Sequence, residues 1–181
     1  MLVDQKEQGK FTQVLFLLLF TSVFVAPLSA SAASFLLNPS SGSYAVGSTV
    51  PVDVIIDTEN ASINAVSAVL TYDDTAVKPV SIKIADSLVD LWIVQPSISV
   101  SEETISFEGL ILNPGFTGKG KIATINFTIL APSSSVVSFA SGSALANDGM
   151  GTNLLARFAE ATLSTYGAEG ETIATRDISS E

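Results

Sequence analysis

Two residue types are missing from this sequence altogether, cysteine and histidine. Without cysteine there is no disulfide, no thiolate nucleophile and no sulfur ligand for zinc. Without histidine the commonest general base and the commonest metal ligand are gone, and with them the Ser-His-Asp and Cys-His arrangements. Positive charge is scarce: eight Lys and Arg stand against eighteen Asp and Glu, for a net charge of −10. A surface of that sign repels nucleic acid and anionic lipid. Aromatic rings able to stack on a ligand are few, with one Trp and three Tyr. Long apolar runs are also rare. Past the N-terminal region, no stretch has the length needed to span a bilayer.

The N-terminal region does carry one run. Lys6 and Lys10 precede Phe11 and an apolar stretch over 14–25. Pro27 then breaks it, and Ala30-Ser31-Ala32 offers small residues for cleavage. Basic, apolar and small in that order is a secretory signal peptide, here 1–32, diluted only by Asp4 and Glu7. The run is shorter than the ~20 apolar residues of a spanning helix, which favours cleavage over anchoring. An exported domain then has to fold through its core alone, since no disulfide can staple it. At the other end, 167–181 is polar and acidic and reads as a flexible tail or linker.

Between these, 33–166 reads as strand and turn throughout. Val50, Val52, Val54 and Ile56 share one face of a strand over 50–57; Pro51 belongs at its start or edge. In 63–72, Val66, Ala68, Leu70 and Tyr72 face one way and Ser67, Val69 and Thr71 the other. Val80, Ile82 and Ile84 fall in register in 77–84. The clearest strand is 121–130, with Ala123, Ile125, Phe127 and Ile129 on one face. Shorter strands are expected over 34–37, 91–94, 98–100, 104–110 and 136–139, and a longer one over 154–163. Turn clusters such as 38–43, 47–48 and the glycine-rich 113–120 separate them. About nine strands at this spacing predict an all-β fold, an antiparallel sandwich or jelly roll, because one-faced alternation suits antiparallel sheets.

Catalytic and metal chemistry find little support. Asp73-Asp74 and Glu102-Glu103 are adjacent acids in turns; neighbours point apart, whereas glycoside hydrolysis needs two acids facing across a cleft. The oxygens of 147–153 lack the spacing of a calcium loop, and Asn147-Asp148-Gly149 suits a tight turn. Trp92, Tyr44, Tyr72 and Tyr166 are candidates for sugar stacking. Core packing is the stronger reading for Tyr72, in phase with Leu70, while Trp92 stays open between core and carbohydrate contact. Asn60 and Asn126 begin glycosylation sequons, which are common by chance.

Several motifs stand in a telling order. Ser-Gly-Ser-Tyr-Ala-Val-Gly-Ser-Thr-Val (41–50) leads into a valine-rich strand. Ile63-Asn64-Ala65-Val66 leads into Leu70-Thr71-Tyr72-Asp73 and then Val77. Ile105-Ser106-Phe107, the run Gly118-Lys119-Gly120-Lys121-Ile122-Ala123 and the closing segments 142–149 and 151–153 follow. Over about 35–166 the chain resembles a bacterial cohesin domain.

That resemblance implies a nine-stranded jelly roll related to carbohydrate-binding modules, no catalysis, and no cofactor on this chain. The implied partner is a dockerin, a small helical module that carries its own calcium on another exported protein, as in polysaccharide-degrading scaffolds. Similar cohesins also occur where no cellulose degradation is evident. The implied contact residues are Asn64, Ala65, Ser67, Val69 and Thr71, with Glu108 as a further polar contact. Cellulosomal type I cohesins place Asn and Asp where Ala65 and Ser67 stand here, so a divergent dockerin is expected. The protein is thus expected to be secreted or held at the cell surface as a binding module. The rival classes are a carbohydrate-binding module using Trp92 and a structural cell-surface spacer.

Overall fold

A computed structural model of the chain describes residues 32–166. The expected signal peptide over 1–32 and the expected tail over 167–181 lie outside the described residues, save Ala32 itself. Eleven strands and no helix make up what is described: β1 (Ala33–Asn38), β2 (Ser41–Ala45), β3 (Thr49–Asp57), β4 (Ile63–Thr71), β5 (Val77–Lys83), β6 (Leu91–Ser99), β7 (Thr104–Leu110), β8 (Lys119–Ile129), β9 (Ser134–Ala146), β10 (Leu155–Phe158) and β11 (Ala161–Tyr166). They form two sheets, ordered β10-β1-β3-β8-β5 and β2-β11-β9-β4-β7-β6. The expected all-β jelly-roll sandwich is what the chain adopts.

Alternation explains the core. Val50, Val52, Val54 and Ile56 of β3 are buried, as are Ala123, Ile125, Phe127 and Ile129 of β8 and Val66, Ala68 and Leu70 of β4. Each such Val, Ile, Leu or Phe side chain contributes roughly 1.5–3 kcal/mol when removed from water. An aromatic cluster fills one region between the sheets. Phe35 stacks on Phe139 at 5.2 Å and on Phe158 at 6.3 Å, and meets Phe107 edge-on at 6.4 Å. Pro51 sits near the start of β3, where β1 pairs only as far as Asp53, so it has a strand neighbour on one side. Asn126 is 9% exposed and donates to the Ser81 hydroxyl at 2.8 Å, which makes its sequon a buried one.

Several expectations need correction. Val80 does not share a buried face with Ile82 and Ile84. It is 50% exposed, because the pairing of β5 with β8 slips between Pro79 and Ser81. The segment 91–99 is one irregular edge strand, and 134–146 is one strand of 13 residues, not four. Residues 41–43, read as part of the 38–43 turn, belong to β2, and 154–163 divides into β10 and β11. Finally, two pairs are parallel, β1 with β10 and β2 with β11. The first and last described segments run side by side and change sheets together, at 39–40 and 159–160.

Gly142 shows how tightly the sheets close. A Cβ there would lie 2.9 Å from the Ser67 carbonyl oxygen and 3.0 Å from Cε2 of Phe35. The carbonyl belongs to a paired strand and cannot swing aside. Gly142→Ala should therefore cost about 1–3 kcal/mol through overpacking. Urea unfolding would show this as a lower midpoint at unchanged slope.

Candidate functional site

The outward side of β4 lies at the middle of the six-stranded sheet, flanked by β9 and β7, with β6 at the edge. Register places residues in rows across the four strands. Leu145, Ala65, Leu110 and Leu91 form one row, and Ser143, Ser67, Glu108 and Val94 the next. Ser141, Val69, Ser106 and Ser97 form the third, and Ser138, Thr71, Thr104 and Ser99 the fourth. The inward partners on β4 are core, so the outward set is fixed by the two-residue period of the strand.

Neighbouring hydroxyls in these rows bond to one another. Ser67 and Ser143 lie 2.8 Å apart and Thr71 and Ser138 3.1 Å apart. Such bonds hold side chains in place before any partner arrives, which lowers the ordering cost of binding. A shallow depression of about 400 Å³ opens on this face, lined by Ser67, Val69, Val94, Ser106, Glu108 and Ser141 among others. A second, of about 510 Å³, adjoins it through Ala65 and takes in Asn64, Leu110, Leu112 and Asn147.

The predicted residues are thus brought together in part as expected. Ala65, Ser67, Val69 and Thr71 are half-buried along one line, and Glu108 is exposed opposite Ser67. Asn64 stands at a slip in the pairing of β4 with β9. Its amide faces the Asn147 side-chain oxygen at 3.4 Å, at the margin of the face. Trp92 lies apart from them. It is half-buried against the core, edge-on to Phe107 at 6.2 Å and 87°, and close over Gly109. Tyr72 is buried, edge-on to Phe127 at 6.1 Å, and Tyr44 packs on the core. None of the outward positions in the four rows is aromatic.

Sequence reasoning did not select Leu91, Val94, Ser106, Leu110, Ser141 or Ser143. Ser106 and Leu110 were within reach, two residues either side of Glu108. Ser141 and Ser143 were not, because a slip beside Val69 leaves Ala140 unpaired and resets the alternation of β9.

Apart from Glu108, the acids around this sheet lie in turns. The Thr75 hydroxyl and backbone amide hold the Asp73 carboxyl below the usual range. Asp148 is held down in the same manner by the Thr152 hydroxyl at 2.6 Å and the Met150 amide at 2.8 Å. Both are Asx-type turns, with the carboxylate spent on its own loop. Burial pushes the Tyr72 phenol up, and Asp74 and Glu103 add to it. Among the described residues, no three acidic side chains gather as a metal site.

Comparison with known proteins gives one family. The profile of the cohesin domain matches residues 37–154. Solved structures agree on the fold. A chain from a novel type I cohesin–dockerin complex of Clostridium thermocellum superposes with a TM-score of 0.63 at 16% identity, covering 78% of this chain and 98% of that one. A non-cellulosomal cohesin from the hyperthermophilic archaeon Archaeoglobus fulgidus gives 0.58 at 16% identity, covering 75% and 92%. The cohesin module of a family 33 glycoside hydrolase from Clostridium perfringens gives 0.59 at 14% identity, covering 76% and 98%. No curated protein matches by sequence.

Proposed function

The chain belongs to the cohesin domain family, and from that premise we propose that it is a non-catalytic, exported module, spanning 33–166, that docks a dockerin-bearing protein through the outward face of β4, β7 and β9. The observation that carries this reading is the face itself. Val69 sits at its centre between Ser106 and Ser141, and Glu108 and the hydroxyls surround it. Apolar contact area edged by polar groups is the arrangement that protein interfaces use. Rigid paired strands preset the side chains, so binding costs little ordering. Solved cohesin–dockerin complexes of the same fold support the class of partner. Calcium would belong to the partner's loops and no cofactor to this chain. The acid pairs at 73–74 and 102–103 are exposed on turns, which suits solvation better than acid–base work. The carbohydrate-binding alternative lacks an outward ring on this face, since Trp92 packs inward.

The test is retention of exported proteins from the source organism on the immobilised chain, first with calcium and then with a chelator. A protein with paired calcium loops should be held with calcium and released on chelation, because such loops fold only when loaded. Retention of the chain on insoluble polysaccharide, with no calcium-dependent protein, would replace this reading with the carbohydrate one.

A further inference from the structure

The candidate face is not uniform along its strands. The row of Leu145, Ala65, Leu110 and Leu91 is wholly aliphatic, and Leu112, 56% exposed, extends the depression beside it. Two rows on, only Val69 is apolar, and the last row, Ser138, Thr71, Thr104 and Ser99, is hydroxyl throughout. Charge is uneven as well: acids lie in turns beyond both ends, but at the aliphatic end Asp90 accepts from the Leu112 amide, and Asp148 from the Met150 amide and the Thr152 hydroxyl of its own loop. The strands of this sheet carry a single charged side chain, Glu108. Every described Lys and Arg lies on the other sheet: Lys78 and Lys83 on β5, Lys119 and Lys121 on β8, and Arg157 on β10. Beyond the hydroxyl row, β4 and the β6–β7 turn run out into exposed Asp73, Asp74, Glu102 and Glu103. The Tyr72 amide donates to the Glu103 carbonyl at 3.2 Å and holds the two turns side by side.

We infer that the partner docks in one direction only, with apolar side chains over Ala65, Leu91 and Leu110 and lysine or arginine over the turns of Asp73, Asp74, Glu102 and Glu103. This rests on the reading of the face as a dockerin site and adds the chemistry and polarity of the partner. Turned end for end, such a partner would bury cations against leucines and leave acids facing apolar groups. Both are unfavourable, so the gradient excludes the reversed mode. Glu108, between the ends, gives the one charged contact within the face.

The two ends make different predictions for salt. The probes are calcium-loaded dockerin modules encoded in the source genome, titrated against the full chain at low and high salt. Asp74→Lys with Glu102→Lys should weaken binding about tenfold at low salt, with the loss shrinking as salt screens the turns. Those two acids are chosen because Asp73 closes its own turn and Glu103 has a left-handed backbone, φ 52°. Leu110→Ser should weaken binding about tenfold at both salts, since apolar burial is not screened. Leu91→Ser, at a side chain already 49% exposed, repeats that test without threatening the fold. The same salt dependence of the loss at both ends, or no loss at either end, overturns the directional inference and leaves the docking reading standing. Binding of no dockerin at all overturns both.

Discussion

Val69→Asp should abolish retention of a calcium-loaded dockerin while leaving the fold intact. Val69 is half-buried and points outward between Ser106 and Ser141, so the free protein can hydrate a carboxylate at this position. The cost to the sheet is about 1 kcal/mol or less, the span of strand propensities. Once a partner covers the face, the same carboxylate is desolvated, with Glu108 one row away and no lysine or arginine on the sheet. A buried, unpaired charge costs several kcal/mol, enough for a loss of more than about a hundredfold. Calorimetric titration reads the affinity and thermal melting the fold. Unchanged affinity in a folded variant would remove this face from the interface. Val69→Thr, close in shape, should retain most binding, which separates charge from shape.

The same partition of charge accounts for what the composition left open. A net charge of −10 named no partner, because it could have been spread evenly over the surface. Placed on the sheets, it is uneven: every described base lies on one sheet, and the other is nearly neutral, with its acids in the turns at its ends. A neutral face in an acidic protein avoids the desolvation cost that charged side chains would bring to an interface. It also leaves the terminal acids free to steer an incoming cationic end.

The central strands were legible because their two faces differ. Val52, Val54 and Ile56 in β3, and Ile125, Phe127 and Ile129 in β8, alternate with polar residues, and a period of two admits no other placement. Ala65, Ser67, Val69 and Thr71 were legible for the same reason, as the outward complement of a buried set. What escaped was whatever breaks the period. The slips beside Pro79, Val94 and Ala140 change which side faces out without changing composition. The serines of β9 carry no strand propensity, and Gly142 is there for close approach to Phe35. Alternation also says nothing of which sheet a strand joins. Phe158 and Leu163 read as one strand, yet the Ala159 amide donates to Phe35 and the Thr162 amide to Ser40, on either side of the crossing.

Phe35 should be the most costly single truncation in the core. Its ring is fully buried and meets Phe107, Phe139 and Phe158, so it joins β1 to β7 and β9 across the sandwich and to β10 beside it. Phe35→Ala removes the transfer energy of the ring and leaves a cavity that stacked neighbours cannot close without leaving their own contacts. A loss of about 3–5 kcal/mol is expected, against a total stability of about 5–15 kcal/mol for a domain. Denaturant unfolding should show it as a large fall in midpoint. Val136→Ala, at a side chain 44% exposed, should barely move the midpoint and serves as the control. The consequence reaches the outward face. Gly142 rests on the Phe35 ring and lies between Ser141 and Ser143, so a collapsed cavity should draw β9 inward and separate Ser143 from Ser67. A Phe35→Ala protein that stays folded should therefore bind its partner more weakly, although Phe35 itself is buried away from the interface. Full binding by that protein would show that the face is held by its own strand pairing rather than by the aromatic core beneath it.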